Sequence, residues 1–257
     1  MRRRILMPVL IAVLAVGWTA SSRAERVIKD GLELTFNADF APRVLPRDRP
    51  APVDVRINGK IATTDGSHPP PLRWLEVALN RNGRLDGRGL PFCAAPRLQS
   101  TSSKTALDRC REALVGRGSF RAVVTLGREI PTGGEIFAFN SRQAGKRALI
   151  LHLFAETPVR FTLVVPMTIG RTKEGQFGTI LRAKVPKIGG DLGSVTEIDL
   201  TIGRRYSFGG KRLSYVSAAC AAPAGLTEVP FPLALGIFRF KGHGEIRETL
   251  SRTCRVR

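Results

Sequence analysis

The chain has 257 residues, with 41 Lys and Arg against 21 Asp and Glu, a formal charge of +20 and 43% hydrophobic residues. That apolar content is enough for a real core, which excludes a disordered basic tail. The length allows two small domains or one large one, because all-β folds reach such sizes as single units.

The first 24 residues read as a secretory signal: Arg2-Arg3-Arg4, an apolar run from Ile5 to Val16, then the small-x-small pattern Ser22-Arg23-Ala24. The run is shorter than the ~20 apolar residues needed to span a bilayer, and no second hydrophobic span follows. Cleavage after Ala24 leaves a mature chain of 233 residues at +16, since the leader carries four Arg and no acid. Export places the 4 Cys in an oxidising compartment, where they pair. Of three possible connectivities, locality favours Cys93 with Cys110 and Cys220 with Cys254. Neither interval has the spacing of a metal knuckle or a redox motif.

Along the chain, apolar and polar residues alternate with period 2. Leu32, Leu34 and Phe36 begin the pattern. It recurs at Val53, Val55 and Ile57, at Leu75, Val77 and Leu79, at Phe120, Ala122, Val124 and Leu126, and at Ile198, Leu200 and Ile202. These are half-buried strands. The 26 Gly and 17 Pro that punctuate them fit antiparallel sandwiches and not parallel α/β units. In the loop Asp65-Gly66-Ser67-His68-Pro69-Pro70-Pro71, a turn followed by a polyproline stretch is expected and a catalytic relay is not. Asn80 to Asp86 has the oxygen-rich look of a calcium loop. Its Asn82-Gly83 pair predicts a hairpin turn instead, and two interposed arginines repel a cation.

One segment has helical spacing. Leu107, Cys110 and Leu114 share a face, Ser102, Ser103 and Thr105 offer caps, and Gly116 offers a stop, so one short helix is expected near 103–115. His152 lies in a run apolar on both faces and reads as a hydrogen-bonded core residue. His243, between two glycines, reads as a hairpin tip.

Sliding the chain against itself suggests an internal repeat. Leu75 to Arg81 matches Ile198 to Arg204 in pattern, Cys93-Ala94-Ala95-Pro96 matches Cys220-Ala221-Ala222-Pro223, and Gly134-Glu135-Ile136 matches Gly244-Glu245-Ile246. The expected fold is therefore all-β: two tandem antiparallel sandwiches of jelly-roll or immunoglobulin-like type, residues 25–145 and 146–257. One large sandwich is the alternative.

No H-E-x-x-H, G-x-S-x-G, Walker A or dinucleotide fingerprint occurs, so no catalytic residue, metal ligand or cofactor is assigned. The basic surplus is 32 Arg and 9 Lys spread along the chain. One place stands out: residues 204–212 predict a hairpin turning at Gly209-Gly210, with Phe208 opposite Lys211, Ser207 opposite Arg212, Tyr206 opposite Leu213 and Arg205 opposite Ser214. Arg204, Arg205, Lys211 and Arg212 are the candidate anion-binding residues.

Asn80 to Cys93, Cys110 to Gly118 and Lys211 to Cys220 together resemble uncharacterised secreted proteins of high-GC soil actinobacteria, over essentially the whole mature chain. The resemblance implies export and a cell-envelope setting and carries no catalytic residues. The functional expectation is a secreted, non-enzymatic binding or structural protein whose basic surface meets anionic envelope polymers or lipid headgroups. Nucleic acid is disfavoured by export. The alternatives are a hydrolase with carboxylates between the sandwiches, and a module that binds a protein partner through a sheet face.

Overall fold

The alternating runs fold as long strands, each presenting one apolar face to a shared interior. The computed structural model describes residues 25–257; the expected leader, residues 1–24, lies outside the described residues. In chain order the elements are β1 (Glu25–Lys29), β2 (Leu32–Ala41), β3 (Val44–Leu45), β4 (Ala51–Pro52), β5 (Asp54–Thr63), β6 (Leu72–Asn80) and β7 (Gly83–Leu85). There follow α1 (Ser103–Cys110), β8 (Leu114–Thr125), β9 (Glu129–Gln143), β10 (Lys146–Ala155), β11 (Phe161–Arg171), β12 (Phe177–Lys184) and β13 (Gly193–Ile202). The last are β14 (Arg205–Phe208), β15 (Lys211–Ser214), β16 (Val216–Ala218), β17 (Glu228–Phe240) and β18 (Glu245–Val256). The described residues form an all-β fold with one short α-helix.

Thirteen strands form one sheet in the order β1-β2-β5-β13-β8-β9-β10-β11-β12-β6-β17-β18-β3. All neighbours are antiparallel except β18 and β3. A twisted sheet of more than about ten strands must curl or split. This one curls until its margins meet. Phe36 on β2 packs edge-on against Phe238 on β17, with ring centroids 5.3 Å apart. Lys29 donates to the Glu245 carbonyl at 2.9 Å, and Arg252 on β18 reaches Asn37 and, at 3.7 Å, Glu25.

The tandem division at 145/146 is not confirmed. That boundary falls in the two-residue turn between β9 and β10, which pair from Gln143–Lys146 to Gly134–Ala155. The halves interleave: β13 lies between β5 and β8, and β6 between β12 and β17. The matched segments Leu75 to Arg81 and Ile198 to Arg204 are two staves of the same wall. Similar inward-facing alternation arises wherever strands line one interior.

The long excursion between β7 and β8 packs on the outside of β9, β10 and β11. Leu98, Ala106, Cys110 and Ala113 cover Phe137, Phe139, Ile150 and Val164. This second layer explains why β10 is apolar on both faces, as a strand buried on both sides must be. Ser102 caps α1, accepting from the Thr105 amide at 3.2 Å, and the helix ends at Cys110. Beyond Cys110 the chain makes one 3-10 turn and enters β8 at Leu114, so Gly116 lies in a strand and not at a helix stop.

Both local cysteine pairings form: Cys93 with Cys110 and Cys220 with Cys254, with Cα atoms 5.6 and 5.9 Å apart. In a chain-entropy account, closing loops of this size stabilises by about 3–4 kcal/mol each. One local expectation fails. Asn82-Gly83 does not turn β6 back on itself; the Asn80 side chain accepts the Asn82 amide at 2.8 Å, and β7 departs to pair with β16.

Candidate functional site: an apolar cavity in the curled sheet

The inward faces of the wall do not fill the interior. They enclose a cavity of about 220 Å³ that runs from the loops 63–71 and 184–193 at one end to Leu85, Tyr215 and Val216 at the other. Its wall is aliphatic: Leu75, Val77 and Leu79 from β6, Leu149, Leu151 and Leu153 from β10, and matching residues of β2, β5, β11 and β13. Leu75, Val77, Leu79, Val55 and Ile57 are only half-buried although they face inward, because they border this space. For scale, an apolar cavity of about 150 Å³ stays dry and takes up benzene.

Few polar groups reach the cavity. Among the described lining residues Glu197 is the single carboxylate, and it lies 3.8 Å from Arg121. Ser194 is buried with its hydroxyl spent on the Pro69 carbonyl at 2.8 Å. Tyr215, at the end of the cavity, differs: the residue is 0% exposed, and its hydroxyl has no hydrogen-bond partner among the described residues. Burial pushes its ionisation well above the ordinary tyrosine range, so it stays a neutral donor. Leaving such a group unpaired costs on the order of 1–3 kcal/mol. Nothing in the local sequence sets Tyr215 apart; only the curled topology brings it to the end of the cavity.

The two ends of the molecule differ in charge. The segments 39–54, 80–114, 141–147, 171–177, 203–228 and 255–257, which build the Tyr215 end, carry 21 Lys and Arg against 8 Asp and Glu. The segments 29–32, 63–73, 125–130, 155–161, 184–193 and 240–245 at the opposite end carry 7 against 6. The basic surplus is thus concentrated at one end, which the spread of arginines along the sequence conceals.

The expected hairpin forms in the expected register, Phe208 with Lys211 and Tyr206 with Leu213, turning at Gly209 and Gly210 with φ of 58° and 72°. Its four cations divide into two roles. Arg204 donates to the carbonyls of Glu112 and Leu114 at 2.7 and 2.9 Å, and Arg205 pairs with Asp54 at 3.2 Å. Lys211 and Arg212 are exposed, beside a Phe208 that is 53% exposed.

The histidines take places outside the cavity. His152 is buried beneath the outer layer, stacked on Phe137, with Nε2 3.0 Å from the Thr101 hydroxyl and 3.2 Å from its carbonyl. Burial holds its pKa below the ordinary histidine value. His68 Nε2 is 3.4 Å from the Val123 carbonyl, while Ser67 donates to Asp65 at 2.7 Å, so these three form a turn and not a relay. Among the described residues no group of three or more His, Cys, Asp or Glu is placed to hold a metal ion. Asp86, the acid of the oxygen-rich loop, is engaged by Arg88. No described helix is long and apolar enough to cross a membrane.

Comparison with protein-family models, with curated proteins and with solved structures finds no match.

Proposed function

We propose that this protein is a non-enzymatic extracytoplasmic binding protein that holds a small apolar ligand inside its curled sheet. The observation that carries this reading is the 220 Å³ cavity with its nearly continuous aliphatic wall. A void of this size loses packing contacts on every side, and filling it with an apolar molecule recovers them. The single, Arg-neighboured carboxylate in the wall supports binding over carboxylate-pair hydrolysis, which needs two facing acids. Two disulfide pairs are compatible with an exported protein.

Titration with propylbenzene tests the reading. Calorimetry is expected to give saturable one-to-one binding, and the melting temperature is expected to climb with ligand concentration as linkage requires. A wild-type protein that neither saturates nor gains thermal stability sinks the proposal.

A second reading concerns the surface. The concentration of 21 basic residues at one end favours association of that end with anionic envelope polymers or lipid headgroups. Lys211 and Arg212 are its most available cations, whereas Arg204 and Arg205 serve to fix the hairpin. Retention on purified envelopes is expected at low ionic strength, with release as salt rises, and the double variant K211E/R212E is expected to elute earlier. Absence of retention at low salt refutes it.

A further inference from the structure

We infer that the basic end of the molecule docks on a bilayer of anionic lipid, with the rings of Phe92 and Phe208 entering the acyl layer while the cations around them meet the phosphates. The inference rests on the reading of that end as an anion-binding surface and names its partner.

The starting point is where exposed apolar surface falls. Seven large apolar side chains are exposed among the described residues, and four of them, Val44, Phe92, Phe208 and Leu226, belong to the basic end. A lone exposed apolar residue is ordinary, whereas apolar groups gathered within a rim of charge mark an interaction site. Phe92 and Phe208, 45% and 53% exposed, are gathered in this way. The Phe208 ring rests on Gly89, three residues before Phe92, and leaves no room for a Cβ there. Tyr206 of the same hairpin donates to the Asp86 carbonyl at 3.0 Å, which ties the hairpin to the loop that carries Phe92. That loop is fixed in turn by the buried Asn140, which donates to the Pro91 carbonyl at 3.0 Å, and by the disulfide of Cys93 with Cys110. Both rings therefore stand on a pre-organised platform, and little ordering entropy opposes their insertion.

The charge around the rings has one sign. Segments 86–93, 140–147 and 204–212 carry 8 Lys and Arg against a single acid, Asp86, which Arg88 engages. The Arg142 guanidinium stands over the Phe92 ring, 4.3 Å from its centroid, and Lys211 is opposite Phe208 in the hairpin. Lys146, in the adjoining turn after β9, is exposed. A phosphate polymer would satisfy these cations and leave both phenyl rings in water. An anionic bilayer meets both demands, since it places phosphates at its surface and hydrocarbon just beneath. Phenylalanine also lacks the polar tip that holds tyrosine and tryptophan at headgroup level.

The purified protein is sedimented with vesicles of phosphatidylglycerol and phosphatidylcholine, with vesicles of phosphatidylcholine alone, and with beads bearing polyphosphate, all at low salt. Wild type is expected to bind the mixed vesicles and the beads, and the phosphatidylcholine vesicles far more weakly. The double variant F92A/F208A is expected to bind the mixed vesicles at least tenfold more weakly, the order that partial burial of a phenyl ring supplies, while the beads hold it as they hold wild type. Phe208→Trp keeps an aromatic ring in place and adds a depth probe. Its added emission is expected to shift to the blue on mixed vesicles and to be quenched by bromines on the acyl chains, whereas Trp74, near the other end, is unaffected in wild type. Vesicle binding that is unchanged in F92A/F208A, or an added tryptophan that bromines do not quench, overturns the inference and leaves a headgroup or polymer contact. Equal weakening on beads and vesicles overturns it as well, as does equal wild-type binding to both kinds of vesicle. Should F92A/F208A melt lower than wild type, the Phe208→Trp quenching decides alone. Failure of wild type to bind either the mixed vesicles or the beads is a distinct result, since it removes the anion-binding surface itself.

Discussion

Phe36 and Phe238 meet with ring centroids 5.3 Å apart and planes at 76°, one from each margin of the sheet. Both rings also line the cavity, so this pair closes the wall and borders the space it encloses. Gly236 lies beneath them: a Cβ there would stand 2.6 Å from Phe238 and 3.0 Å from Phe36. Gly236→Ala is therefore expected to pry the seam apart, destabilising by about 1–3 kcal/mol as overpacking does. Phe238→Ala removes the contact and is expected to cost about 3–5 kcal/mol. Denaturant unfolding of the two variants measures both, and hydrogen exchange is expected to rise first in β1, β2 and β18. A Gly236→Ala protein as stable as the wild type would show that the margins are not held by this pair.

The alternating strand runs, the start of the helix, the two cysteine pairs and the register of the 204–212 hairpin were legible because each is a local signal. The alternation at Leu32 to Phe36 is carried by neighbours, as is the capping serine at 102. The pairing of β13 with β5 and β8 is set by strand order and sheet twist, which leave no mark on a local pattern. Hence two halves with similar alternation suggested two domains, while the chain builds one interleaved wall. The cavity was hidden for a related reason. Leu75, Val77 and Leu79 read as core residues in sequence, and only closure of the sheet decides whether such residues touch each other or face a space. Tyr215 and the charge asymmetry between the ends follow from that same closure.

If the cavity is the ligand site, filling it should exchange binding for stability. Val77 faces the cavity from β6 and is only partly buried. Val77→Phe adds apolar volume where a void exists, so the melting temperature is expected to stay level or rise. Propylbenzene affinity is expected to fall by about tenfold or more, equivalent to roughly 1.4 kcal/mol. Calorimetry alongside thermal unfolding reads both. Loss of binding together with loss of the fold would not count as support, and unchanged affinity would place the ligand elsewhere.

His152 gives the fold a defined response to acid. Burial lowers its folded-state pKa below the usual value near 6.5, and its Nδ1 has no hydrogen-bond partner among the described residues. The native state therefore binds fewer protons than the unfolded chain. The stability contributed by neutral His152 is complete above about pH 6.5 and is lost as pH falls through the lowered folded value. His152→Leu retains an apolar body beneath α1 and cannot charge, and Thr101 keeps its bond to the Leu98 carbonyl at 2.7 Å. Urea midpoints across pH 4–8 are expected to fall on the acid side for the wild type and to stay flatter for the variant. Parallel curves for the two proteins would remove His152 as the cause.

At the opposite end Asp191 clasps the loop between β12 and β13 over the cavity. Its carboxylate pairs with Arg73 of β6, lies 3.3 Å from Lys241 after β17 and 3.6 Å from Lys187 of its own loop, and the Arg73 pair contributes most to holding its pKa down at about 2. Pro186 and Ile188 of this loop line the cavity, so the clasp fixes part of the wall. A carboxylate whose folded pKa is depressed contributes stability that is present above the unfolded value near 3.9 and disappears as pH falls toward 2. Asp191→Asn removes that contribution at every pH, since an amide cannot pair with three cations. The loop is then expected to open more often, so that propylbenzene associates and dissociates several-fold faster with a smaller change in affinity. Line-shape analysis of ligand exchange by NMR reads the two rates separately. Unaltered rates in Asp191→Asn would mean that ligand passes through another part of the wall.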